Sequence, residues 1–107
     1  LSDLLSSSNR EVPSSAQILS AVALFYKIDD RLLSGSRKDR VTSRARQIAV
    51  YLLRENGEQS LSDIGSLLGD RDYSTIRHSW TKVTSLLKED LAIQQEVSTI
   101  QESLAAS

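Results

Sequence analysis

Residues Ser60–Trp80, "SLSDIGSLLGDRDYSTIRHSW", decide the fold. The stretch opens on Ser60-Leu61-Ser62-Asp63, an S-x-x-D capping box. In such a box the serine accepts from the amide three residues on, and the acid reaches back to the cap amide. Ile64, Leu67 and Leu68 then give a short helix one apolar side, and Gly69 permits a positive φ at its end. Only Asp70 and Arg71 intervene before Asp72, a good cap for a further helix. That helix carries Ile76, Trp80, Val83 and Leu87 at i, i+4, i+7 and i+11. A short capped helix, a tight glycine turn and a longer helix make a helix-turn-helix.

With that stripe turned inward, Ser74, Arg77, His78 and Thr81 lie on a separate polar face at i, i+3, i+4 and i+7. Hydroxyls, an arginine and an imidazole suit base edges or phosphates. The leading end of such a helix enters the major groove, and its free amides suit phosphate. Arg77 is expected at phosphates, and His78 reads as a phosphate contact or a surface group. Tyr73, three residues before Ile76, is open to two readings: partial burial in the core stripe, or contact with a base. Asp72 caps the helix and can also accept from a cytosine amino group. Asp70, Asp72 and His78 could be imagined as an acid–base set, but the helix pattern already accounts for each, and no nucleophile accompanies the histidine.

The rest of the chain reads as helices too. Ile18, Leu19, Val22, Phe25 and Tyr26 mark a first amphipathic helix starting at Pro13-Ser14-Ser15. Asp29/Asp30 cap a short turn through Leu33, and Ser34-Gly35-Ser36 breaks it ahead of the basic loop Arg37-Lys38-Asp39-Arg40. A long helix is expected from Thr42 or Ser43, with Ala45, Ile48, Ala49 and Leu52 inward. Gly57 is expected as the left-handed residue past its end. A last helix from near Asp90 carries Ile93, Val97, Ile100 and Leu104. No strand pattern or internal repeat is present. Residues 1–12 read as the end of a linker, and residues 13–107 as one helix-turn-helix domain.

Composition narrows the function classes. The chain has 107 residues, 39% hydrophobic and 25% charged, enough for one small core. No cysteine and a single histidine argue against thiolate or zinc sites. No apolar run reaches membrane-spanning length and no signal peptide is visible. Methionine is absent even at position 1, which predicts a piece of a longer, or processed, protein. The net charge of −1 hides an asymmetry. Residues 31–54 hold seven basic groups against Asp39 alone, whereas residues 83–107 hold Lys88 against four acids. A one-sided basic block favours an anionic partner over a merely solvated face. The loop within it can reach a minor groove beside the helix-turn-helix.

"GDRDYSTIRHS" resembles the signature of the C-terminal DNA-binding domain (domain IV) of the bacterial DnaA replication-initiator family, close to GGRDHTTVLHA. "SRKDRVTSRARQIAVYLLRE" resembles that family's basic loop and following helix, "SLSDIGSLLG" its SLPEIG segment, and "ILSAVALFYKIDDRLLS" its first helix and turn. The likeness runs from Val12 to Leu104, with the motifs in order and at matching spacing.

The resemblance implies an all-α fold of about six helices, related to Trp-repressor-like helix-turn-helix domains. It implies binding to duplex DNA at an asymmetric DnaA box of the TTATCCACA type at the replication origin, one monomer per box. Base contacts carry over onto Asp72, Tyr73, Ser74 and Thr75 in the major groove, Lys38 in the minor groove and Ser62 of the SLPEIG segment. Arg37, Arg40, Arg54, Ser60, Arg71, His78 and Lys82 carry over as phosphate contacts. No catalysis and no cofactor are expected in this domain; ATP and Mg would belong to an upstream module of the larger chain, in the cytoplasm at the bacterial nucleoid. The sequence departs from the family pattern at Asp70, Tyr73, Ser74 and Lys38, so an altered or relaxed box is expected. The alternatives are a DnaA-like domain in a transcriptional regulator or mobile-element protein, and a helical protein-interaction module.

Overall fold

The computed structural model describes residues 12–106, which form five α-helices, one 3-10 turn and no strand. In chain order these are α1 (Ser15–Tyr26), the 3-10 turn (Asp30–Ser34), α2 (Arg40–Glu55), α3 (Leu61–Leu67), α4 (Tyr73–Glu89) and α5 (Leu91–Ala106). The all-α expectation holds, and "about six helices" becomes five plus the 3-10 turn. The expected linker end lies outside the described residues except for Val12.

Local chemistry explains most boundaries. Ser14 caps α1 with a full reciprocal box, its hydroxyl accepting from Gln17 N while Gln17 Oε1 accepts from Ser14 N. At α3 the expected box is half made: Ser60 Oγ accepts from the Asp63 amide at 3.1 Å. Asp29 caps the 3-10 turn, as expected. Helix α2 starts at Arg40, ahead of the expected Thr42 or Ser43. The cause is Asp39, whose carboxylate accepts from both the amide and the hydroxyl of Thr42. Its pKa is lowered, first by the Thr42 amide.

The end of α2 also differs from expectation. Glu58, not Gly57, is left-handed, with φ 54°. Gly57 is needed for space instead: a Cβ there would lie 2.8 Å from the Leu53 carbonyl oxygen and 2.9 Å from Ile18 Cδ1.

Helix α2 is the centre of the molecule. It packs against α1, α3, α4 and the 3-10 turn, while α5 closes over α1 and α4. Ile48, Leu52 and Leu53 of α2 meet Ile18 and Val22 of α1, Leu33, Ile64, Ile76 and Ile93 in one apolar cluster. Burying each such side chain stabilises the fold by about 1.5–3 kcal/mol. The stripe expected on α4 does face this core: Ile76 and Val83 are fully buried, and Trp80 and Leu87 pack against it partly buried. Phe25 and Leu67, assigned to buried stripes from spacing, are each 36% exposed. Ala23 and Leu61 are buried in their helices instead.

One polar tie crosses three helices. Tyr26 Oη of α1 donates to Glu96 Oε1 of α5 at 2.6 Å, and Arg44 of α2 approaches the same oxygen at 3.4 Å. Burial, then Glu96, pushes the Tyr26 hydroxyl above the usual tyrosine range.

Candidate nucleic-acid interface

The helix-turn-helix forms where the sequence places it. Helix α3 runs into Leu68, then Gly69 at φ 80° and Asp70 at φ 56° reverse the chain. Two successive left-handed residues explain why a second glycine suits position 70. Aspartate is among the few side chains that tolerate the conformation. Asp72 then caps α4, its Oδ2 accepting from Ser74 N at 3.0 Å.

The first turn of α4 projects outward. Tyr73, Ser74 and Thr75 are exposed, as are Arg77, His78, Thr81 and Lys82 further along. Tyr73 is 53% exposed, which settles the two readings of this residue against core burial. The remaining amides at this end point out of the helix with its positive dipole. Ser62 lies exposed in the first turn of α3.

The basic loop sits beside this end. Lys38, Arg71 and Thr75 line a single notch of about 210 Å³, together with Ser43, Arg46, Gln47 and Ser79. The structure thus brings the loop and the leading turn of α4 to one place. Lys38 is exposed there. Its neighbours on the chain are tied down: Arg37 Nε donates to Asp39 Oδ1 at 2.7 Å, and the Asp39 carboxylate caps α2.

Other expected contacts lie elsewhere or are engaged. Arg40 is exposed in the first turn of α2. Ser60 Oγ is occupied in capping, though its proton remains available. Arg54 lies 5.7 Å above the Trp80 ring, whose Nε1 donates to Glu55 at 3.0 Å. Arg71 is engaged as well: its guanidinium donates to the carbonyls of Leu68 and, at 2.6 Å, of Gly35.

Arg46, assigned no role from sequence, is bonded to the main chain leading into the basic loop. Its Nε donates to Leu33 O at 2.9 Å, and its Nη2 to Leu32 O, Gly35 O and Arg37 O at 3.0, 3.2 and 3.0 Å. Burial, then the charge of Arg71, lowers its pKa from the usual arginine value, while Asp39 opposes the shift. A signal was available. Ser43, Arg46, Gln47 and Val50 follow i, i+3, i+4, i+7, a second face of α2 distinct from its main core stripe.

The pattern of the bacterial DnaA-protein helix-turn-helix matches residues 15–83, well over half of the chain and including the basic loop, the turn and the leading end of α4. The chain belongs to the bacterial DnaA helix-turn-helix family. Curated relatives align over nearly its whole length. The chromosomal replication initiator protein DnaA of Roseiflexus castenholzii is 39% identical over 107 residues, all of this chain and 22% of the relative. That of Herpetosiphon aurantiacus is 36% identical over 104 residues, 97% of this chain and 22% of the relative. That of Clavibacter sepedonicus is 36% identical over 97 residues, 91% of this chain and 20% of the relative. The chain therefore spans about a fifth of the length of these relatives.

Proposed function

We propose that this DnaA-family domain binds duplex DNA sequence-specifically, recognising a DnaA box or a variant of it at a replication origin, as the DNA-binding module of a chromosomal replication initiator. The observation that carries this is the notch shared by Lys38 and the first turn of α4, with a basic loop and a helix N-terminus side by side. Such a pair can address the minor and major grooves of one duplex.

In this reading α4 enters the major groove by its leading end. Asp72 Oδ1 remains free to accept from a cytosine amino group while Oδ2 caps the helix. Ser74 and Thr75 offer hydroxyls to base edges, Tyr73 a longer reach to the same groove, and Ser62 a contact from α3. Lys38 enters the minor groove as a point charge, without the planar fork of arginine. Arg37, Arg40, Arg54, Ser60, Arg77, His78 and Lys82 meet phosphates and set register and salt dependence. One domain occupies one box. The domain performs no catalysis, and ATP and Mg are assigned to chain outside these residues. The whole protein acts in the cytoplasm, at the nucleoid.

The test is titration of labelled duplexes carrying a DnaA box or its scrambled sequence. The box should bind more tightly, and both affinities should fall as salt rises. Ser74→Ala and Lys38→Ala should each narrow the gap. Equal binding of box and scrambled duplex by the parent chain would remove the sequence-specific claim. Failure to bind any duplex at low salt, with the fold intact, would favour a protein-interaction module.

A further inference from the structure

We propose that Arg46 and Arg71 are positioning residues for DNA recognition: they weld the basic loop to the helix-turn-helix turn and so fix Lys38 relative to the leading end of α4. The proposal rests on the DNA-binding reading above.

Two guanidinium groups converge on one backbone carbonyl. Gly35 O accepts from Arg46 Nη2 at 3.2 Å and from Arg71 Nη2 at 2.6 Å. Arg46 reaches back from α2, and Arg71 projects from the turn between α3 and α4. Gly35 thus joins two parts of the chain that are 36 residues apart in sequence. The turn itself completes the contact: Gly69 lies so close to Ser34 that a Cβ would fall 2.3 Å from the Ser34 carbonyl oxygen.

The bonding pattern serves placement rather than charge balance. Among the described residues neither arginine forms an ion pair with a carboxylate. Each instead collects main-chain oxygens, four for Arg46 and two for Arg71. Two like charges held this close disfavour each other, and burial adds to the cost for Arg46. A polyanion across the notch relieves that repulsion.

What the carbonyls have in common is their location. They belong to Leu32, Leu33, Gly35 and Arg37, the path leading to Lys38, and to Leu68, on the approach to α4. With Arg37 O held by Arg46 and Asp39 capping α2, the backbone on both sides of Lys38 is pinned while its side chain stays exposed. A reader held in place loses less conformational freedom on binding. Lysine cannot replace Arg46 in this role, because one ammonium lacks the planar fork that spans four carbonyls.

The experiment uses the 107-residue chain, a labelled DnaA-box duplex, its scrambled counterpart and single-base-pair variants of the box. The proteins are the parent, Arg46→Lys, Lys38→Ala and the double variant. Arg46→Lys should cut the preference for the box about tenfold, comparable with losing one read base pair. The loss should concentrate at the pairs whose discrimination Lys38→Ala also abolishes, and the double variant should be no worse than the more impaired single one. The proposal is overturned if Arg46→Lys weakens box and scrambled duplex alike, or if its effect multiplies with that of Lys38→Ala. A parent chain without box preference removes the DNA reading itself, a different result from a selective parent with multiplying variants. Should Arg46→Lys lose its helical circular dichroism, Arg71→Lys, which leaves the four Arg46 bonds in place, carries the same comparison.

Discussion

Gly69→Ala tests how tightly the helix-turn-helix turn is built against the basic loop. Two costs act together. Alanine at φ 80° enters the left-handed region, at about 1–2 kcal/mol. Its Cβ would also meet Ser34 O at 2.3 Å, where ordinary contact begins near 3.4 Å. The 3-10 turn must then retreat by about 1 Å, against the hydrogen bonds of Arg46 and Arg71, an overpacking cost of about 1–3 kcal/mol. The sum is about 2–5 kcal/mol, and for a domain of this size the melting temperature should fall by roughly 10–25 °C. Thermal unfolding followed by circular dichroism at 222 nm reads the shift.

Gly35→Ala is the matched control on the other side of the same contact. Gly35 has φ −87°, open to any residue, and a Cβ there would find only Leu32 O at 3.6 Å and Arg31 O at 3.8 Å. Its stability should stay within about 0.5 kcal/mol of the parent. A Gly69→Ala chain melting within a few degrees of the parent, or a Gly35→Ala chain equally impaired, would refute the close approach of loop and turn.

Further outcomes follow from other parts of the molecule. Glu96→Ala removes the acceptor shared by Tyr26 and Arg44 and should cost about 1–3 kcal/mol in urea unfolding; Glu96→Gln, which retains an acceptor for Tyr26, should cost less. Because Tyr26 is held protonated in the folded chain, the unfolded chain releases that proton first. The associated stability is complete below about pH 10 and declines as pH rises further. Tyr26→Phe should flatten this decline in the urea midpoint, leaving the smaller share of Tyr51, whose pKa burial also raises. Asp72→Ala should lower stability by about 1 kcal/mol through loss of the α4 cap, with Asp72→Asn retaining most of it. Lys82→Ala should weaken box and scrambled duplex alike and reduce the salt slope by about one.

Much of this was legible along the chain. The helix-turn-helix could be read because its signals are local: a serine cap, an apolar period, a glycine and an aspartate cap within twenty-one residues. The outward face of α4 followed from the same period, and Ser74, Arg77 and His78 lie on it. Helix ends were harder. The start of α2 depends on which of several polar residues engages the free amides, and Asp39 does so before Thr42 or Ser43. Past α2 the left-handed residue is Glu58, while Gly57 is required for another reason: Ile18, from a distant helix, and the Leu53 carbonyl leave no room for a Cβ.

Arginine is the residue type whose role the sequence leaves most open. A run of basic letters between 31 and 54 announces an anionic partner, since charge is a property of composition. It does not say which guanidinium faces out. Arg31 pairs with Asp29, Arg37 with Asp39 and Arg44 with Glu96, while Arg46 and Arg71 turn to main-chain oxygens. Lys38 and Arg40 remain exposed at the loop. Caps, periods and turn residues act over three or four positions, so they are written in the order of the chain. The partners of a long flexible cation are set by which carbonyls packing brings within about 3 Å. For Arg71 that carbonyl is 36 residues away, and only the folded chain places it there.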